Sequence, residues 1–132
     1  MMHVFVDTSA FLTLLDTQDA NHVAASATML QLIQDNAALV TTNYVLVETC
    51  AVLQRRFGVV YVRTFLEQVV PLLELYWVEQ SIHVAGVAAL LAANQRLLSL
   101  VDCVSFAIAR QRGVDAVFAY DEHFADQGFR IL

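Results

Sequence analysis

The chain has 132 residues, 58% hydrophobic and 15% charged, with a net charge of −6 at pH 7. That length predicts one domain spanning residues 1–132, and the composition supplies a large core and excludes a disordered chain. The acid excess argues against a classical basic nucleic-acid binder, although a divalent ion held by clustered acids would offset it. There is no lysine; all seven cations are arginine.

Apolar runs stay short of the ~18 residues that span a membrane. The longest, Val84 to Ala93, is Ala-rich, contains Gly86 and stops at Asn94. The N-terminus lacks the basic segment of a secretory signal, and Asp7 interrupts its apolar stretch. Cys50 and Cys103 sit in apolar helical contexts, near one another. They are expected as reduced thiols of a cytoplasmic protein, packing as small hydrophobes.

Val4-Phe5-Val6 reads as a strand covered on both faces, ending in Asp7-Thr8-Ser9. Phe11, Leu12, Leu14 and Leu15 then follow a helical pattern. Asp16 to Ala20 is a polar turn, and Asn21 is placed to cap a helix from His22 to Gln34. Ala38-Leu39-Val40 predicts a short strand, with Thr41-Thr42-Asn43 as loop and cap before a helix from Tyr44 to Phe57. Gly58 stops that helix, and Val59 to Val70 predicts another. Pro71 ends it and introduces a strand over Leu72 to Val78. Ser81 to Leu97 predicts a long helix. Asp102 is placed to cap the next, which ends at Arg112-Gly113. Ala116 to Tyr120 is a strand ending at Asp121, and Phe129 to Leu132 a last edge strand. Strands alternating with helices predict a parallel α/β sheet.

Of thirteen acidic residues, four share an unusual situation. Asp7 and Asp121 each follow a buried strand, so both project from the carboxyl edge of a parallel sheet, where such folds bind ligands. Asp102 suits an N-cap, but the preceding Leu98-Ser99-Leu100-Val101 is too apolar for an exposed one, which implies a recessed position. Glu48 is the only charge between Asn43 and Arg55. It is either paired with Arg55, simply exposed, or held by a partner, because a buried glutamate is not left alone.

Should the four converge, repulsion becomes decisive. Two like charges about 4 Å apart repel by about 4 kcal/mol at an effective dielectric of roughly 20. Such a site protonates, opens, or holds a cation. Oxygen ligands without histidine or cysteine suit Mg²⁺ or Mn²⁺ rather than Zn²⁺. That combination points to phosphoryl-transfer chemistry.

Four stretches carry a family resemblance: Val4 to Ala10, Thr42 to Thr49, Ser99 to Ala107, and Val117 to Phe124. In this order and spacing the chain resembles PIN domains, specifically VapC-type ribonuclease toxins of toxin–antitoxin pairs. The resemblance implies a PIN-like three-layer α/β/α sandwich with a central, mainly parallel sheet of four or five short strands. It implies that Asp7, Glu48, Asp102 and Asp121 are the catalytic and metal-binding residues of an Mg²⁺- or Mn²⁺-dependent endoribonuclease. RNA is the implied substrate, a small antitoxin the implied partner and a homodimer the implied assembly. Ser9 or Thr8 is implied as a support for Asp7. Ser105, one turn beyond Asp102, is placed to face the same pocket.

The remaining candidates have simpler readings. His3, His22, His83 and His123 form no ligand pair; His123, two residues from Asp121, suits a substrate contact or, in preference, a structural role ahead of Phe124. Arg55, Arg56, Arg110 and Arg112 suit phosphate contacts or a solvated face equally. Ser9 lacks the context of a nucleophile. The competing functions are an RNA-processing nuclease of the same type and a non-catalytic module whose acidic pocket captures a partner's arginine. A phospho-acceptor domain is disfavoured by the absence of lysine.

Overall fold

The computed structural model describes residues 1–132. It contains β1 (His3–Val6), α1 (Thr8–Leu15), α2 (His22–Gln34), β2 (Ala38–Thr42), α3 (Asn43–Phe57), α4 (Val59–Thr64), β3 (Glu74–Tyr76), α5 (Gln80–Ala93), α6 (Leu100–Gln111), β4 (Ala116–Phe118) and α7 (His123–Asp126). The four strands form one parallel sheet in the order β3-β2-β1-β4. Successive strand side chains point to opposite faces, so the complete burial of Val4, Phe5 and Val6 means that helices cover both faces of β1. No helix is long and apolar enough to cross a membrane.

Strand order reverses between β1 and β4: the chain goes from β1 to β2 and β3 on one side, then returns to place β4 on the other. Clefts form outside the carboxyl ends of strands at such a switch point. Val6 pairs with Phe118 at that end, and the Asp7 amide donates to the Phe118 carbonyl at 3.1 Å. The sheet therefore brings residues that follow β1 and β4 to one place.

Several boundaries differ from the sequence expectation, each for a local reason. Asn21 makes no side-chain cap; Asp19 accepts from the Asn21 amide instead. Thr41 and Thr42 belong to β2, and Thr42 Oγ1 caps α3 by accepting from the Val45 amide at 3.2 Å. Asn43 instead accepts from the Val78 amide at 2.7 Å, tying α3 to the chain beyond β3. Helix α6 starts at Leu100, so Ser99 rather than Asp102 is its N-cap. The segment after α4 widens into a π-turn over Phe65–Val69 and a 3₁₀ turn over Val70–Leu72, where Pro71 sits in the first turn and its missing N–H costs nothing. The expected final strand reduces to one bridge, Val117 to Ile131, because only the two bonds flanking Val117 form.

The core combines β1 with Phe11, Phe65, Phe118 and Phe124, all fully buried. Phe11 and Phe65 meet edge-to-face at 5.0 Å, as do Phe106 and Phe124, a favoured aromatic geometry. Helices α5 and α6 pack at Gly86, where a Cβ would stand 2.7 Å from Val104 Cγ2. Val104 is fully buried and, being β-branched in a helix, has essentially one rotamer. Gly86→Ala gains about 1 kcal/mol of helix propensity and loses about 1–3 kcal/mol to overpacking. The clash should win, so urea denaturation is expected to show the variant about 1 kcal/mol less stable than wild type.

Candidate functional site

Asp7 is 4% exposed at the end of β1 and caps α1. Its Oδ2 accepts from the Ser9 amide at 3.1 Å and from the Ser9 hydroxyl at 2.7 Å. Ser9 Oγ in turn accepts from the Tyr120 amide at 2.9 Å, so one hydroxyl braces the end of β1 against the chain leaving β4. Thr8 does not touch the Asp7 carboxylate. Its hydroxyl donates to the Val45 carbonyl at 3.4 Å and accepts from Thr49 at 3.1 Å, which locks α1 to α3.

Asp102 is 8% exposed, at the third position of α6. Asp102 and Ser99 form a reciprocal capping box: Ser99 Oγ accepts from the Asp102 amide, and Asp102 Oδ2 from the Ser99 amide, both at 3.0 Å. Leu98, before it, is buried, which explains the apolar approach to α6. Asp121 is half-buried, and its Oδ1 accepts from the His123 amide at 2.8 Å. Glu48 is half-buried on α3 and has no partner; the alternative pairing with Arg55 does not form.

All four carboxylates line one cleft of about 340 Å³, together with Thr8, Ser9 and Ser99. Each aspartate spends one oxygen on its own neighbouring backbone and leaves the other without a hydrogen-bond partner. The fixed oxygens orient the carboxylates, and the free ones face no hydrogen-bond donor of the chain.

The charges feel one another. Burial raises the Asp7 pKa from 3.8 to about 6; the Ser9 bonds pull it down, while Asp102 and Glu48 push it up. Burial also raises Asp102, against the Ser99 bonds, with Asp121 pushing it further up and His123 pulling it down. Glu48, Asp7, Asp102 and Asp121 thus form a chain of repelling neighbours. Four carboxylates gathered in one cleft, two of them buried, fit a hard divalent ion as their counter-charge.

Ser105 is fully buried, its hydroxyl has no partner, and it is not among the residues lining the cleft. Other residues, outside the expected site set, also bear on the cleft. Arg56 and Leu97 line it. His123, read as structural, brings a ring nitrogen into a group with Asp102 and Asp121 whose ligand atoms all lie within 4.8 Å of one another. Its Nε2 stands 3.1 Å from the Leu97 carbonyl; a carbonyl only accepts, so Nε2 carries the proton and serves as a strut for the rim.

A fold and cleft of this kind define a family. The chain belongs to the PIN domain family, whose model matches residues 4–130. It is 31% identical over 130 residues to the 23S rRNA-specific endonuclease VapC20 of Mycobacterium tuberculosis, covering 96% of this chain and 95% of that one. The crystal structure of VapC20, described as a sarcin–ricin loop cleaving toxin, superposes with a TM-score of 0.78 at 29% identity, over 96% of this chain and 95% of that one. FitAcB from Neisseria gonorrhoeae shares the fold at 14% identity, with a TM-score of 0.71 over 98% of this chain and 96% of its own. VapBC2 from Rickettsia felis, bound to a promoter DNA fragment, does so at 11% identity, with a TM-score of 0.70 over 99% and 98%.

The sign of the Asp7 shift makes a prediction. A carboxyl whose pKa is raised on folding stabilises the protein below 3.8, and that contribution is lost as pH rises through about 6. At about 1.4 kcal/mol per pKa unit, the cost above pH 7 is roughly 3 kcal/mol. Asn keeps an oxygen for Ser9 and carries no charge. Urea denaturation with chelator present is expected to show Asp7→Asn about 1–3 kcal/mol more stable than wild type at pH 8, and nearly equal to it at pH 4. Parallel stability–pH curves for the two proteins would refute the assignment.

Proposed function

We propose that this protein is a metal-dependent endoribonuclease that hydrolyses RNA phosphodiester bonds at the four-carboxylate cleft, and that it is the toxin of a toxin–antitoxin pair. One observation carries the reading. Asp7, Glu48, Asp102 and Asp121 line a single cleft in a chain 31% identical, over almost its full length, to an rRNA-specific endonuclease.

Asp7, Glu48, Asp102 and Asp121 would hold Mg²⁺ or Mn²⁺. When bound, the ion supplies Lewis acidity toward the scissile phosphate and activates a water for attack. The chain's own residues prepare the site. Ser9 and Ser99 orient the Asp7 and Asp102 carboxylates through their fixed oxygens. Above about pH 6 Asp7 is ionised, and its charge beside the other carboxylates favours a bound cation.

A growth-arresting toxin implies a neutralising antitoxin that reaches this cleft, and a cytoplasmic location beside its RNA. Exposed apolar side chains support the homodimer. Val47 (66% exposed), Trp77 (70%) and Val84 (57%) emerge around the contact between Tyr44 of α3 and His83 of α5. Sedimentation velocity is expected to show a dimer for wild type and a monomer for Trp77→Arg; a monomeric wild type refutes this assembly.

The central test is cleavage of ribosomal RNA, 23S rRNA first, with Mn²⁺, with chelator, and with Asp102→Asn. Asn can still accept from the Ser99 amide, so the cap and the fold should persist. Chelator is expected to abolish cleavage. Asp102→Asn is expected to lower it by more than about a hundredfold, beyond the cost of losing an outer-shell partner, with unchanged circular dichroism. Full Mn²⁺-dependent activity in the variant would overturn the site.

A further inference from the structure

Arg56 is the only cation lining the acidic cleft. It lies eight residues beyond Glu48 on α3, and Val52, midway between them, lines the same cleft. Steps of four keep side chains on one helix face, so Glu48, Val52 and Arg56 form a stripe along one wall. Eight residues span about 12 Å of helix axis. Helical side chains lean toward the N-terminus, which brings the guanidinium back toward the carboxylates.

A guanidinium near carboxylates ordinarily pairs with one. Arg56 pairs with none: the only arginine–carboxylate bridge in the chain joins Arg63 to Glu67. Arg110 bonds Gln127 and Arg112 lies over the Tyr76 ring; Arg55, Arg96 and Arg130 are also without a side-chain partner, but none of them lines the cleft. Arg56 makes no side-chain hydrogen bond and is exposed. A cation in the last turn of α3 suits the helix dipole. Arg55 meets that need equally well and does not line the cleft, so the dipole does not explain the position of Arg56.

The chemistry of an acidic cleft for a polyanion does. Four carboxylates repel RNA, and one divalent ion offsets only two of their charges. A strand lying across the cleft needs a second fixed cation away from the metal. Guanidinium is the natural choice, because its planar fork binds a phosphate through two parallel N–H bonds. We propose that Arg56 binds a backbone phosphate of the RNA next to the scissile one, and so sets which bond is presented to the carboxylates. The inference rests on the nuclease reading and adds a substrate-binding residue to it.

The test is fluorescence anisotropy with a labelled 12-nucleotide single-stranded RNA, with Ca²⁺ in place of Mn²⁺ and salt varied. Wild type is compared with Arg56→Ala and Arg56→Lys. Arg56→Ala is expected to weaken binding about 3- to 10-fold and to flatten the slope of log affinity against log salt by about 0.7, the loss of one single-strand phosphate contact. Arg56→Lys should restore the slope but only part of the affinity. Calorimetric Mn²⁺ affinity should stay at the wild-type value in both, which separates substrate binding from damage to the carboxylates. Wild-type binding with an unchanged Arg56→Ala curve overturns the role of Arg56 and leaves the nuclease reading standing. Absence of any RNA binding by wild type overturns both.

Discussion

The structure depends on placing an ionisable carboxylate at the end of its most buried strand. β1 is covered on both faces and bonded on both edges, so Asp7 inherits its position with little freedom. Burial is the largest push upward on its pKa, which stands at about 6 even with the Ser9 bonds pulling it down. The fold offsets this with one residue, Ser9, which supplies two donors to the same oxygen and accepts from the chain beyond β4. A carboxylate accepting such bonds is held in its charged form. The brace is therefore structural and electrostatic at once: it joins two strand ends and keeps Asp7 ionisable.

The same pattern recurs around the cleft. Asp102 is held by Ser99, Asp121 by the amide of His123, and each has one oxygen anchored and one free. The anchors are local, within three residues in sequence, so they survive movements of the elements relative to each other. The positioning of the four carboxylates is global, set by the parallel register at the β1–β4 junction and by the Thr8 bonds that hold α3 against α1. Local bonds fix orientation and tertiary bonds fix distance. The resulting repulsion lowers stability without a cation, in keeping with the strain found at functional sites.

How far the sequence reveals this depends on the range of the interaction concerned. Asp7 and Asp121 are legible because each interrupts an apolar run, which is a local signal. Glu48 is legible because it is the only charge in two helical turns. Asp102 is recognisable as recessed, but its place in the helix is not, because the cap is Ser99. Leu100 and Val101 read as loop, whereas the Ser99 capping box starts the helix there. The edge strand expected over 129–132 shrinks to a single bridge, because strand length depends on pairing partners that those residues do not announce. The contact between His123 and Leu97 is hidden in the sequence for a stronger reason. Their bond joins residues 26 apart across a tertiary contact, and no spacing rule encodes it. Thr8, whose role in supporting Asp7 was inferred from resemblance, instead serves α3, because its hydroxyl meets Val45 first.

The charge balance that at first argued against nucleic acid acquires a different meaning once the acids are placed. Net charge describes affinity for a polyanion only when the charges act as a surface field. Here four of thirteen acids are concentrated in one cleft, two of them nearly buried. Their field is directed at whatever enters that cleft rather than spread over the protein. A divalent ion offsets two of those charges and itself attracts phosphate, so the cleft repels a strand far less when the ion is bound. Arg56 sets where that attraction extends along α3. Substrate binding then becomes conditional on metal binding, which an evenly basic surface could not provide.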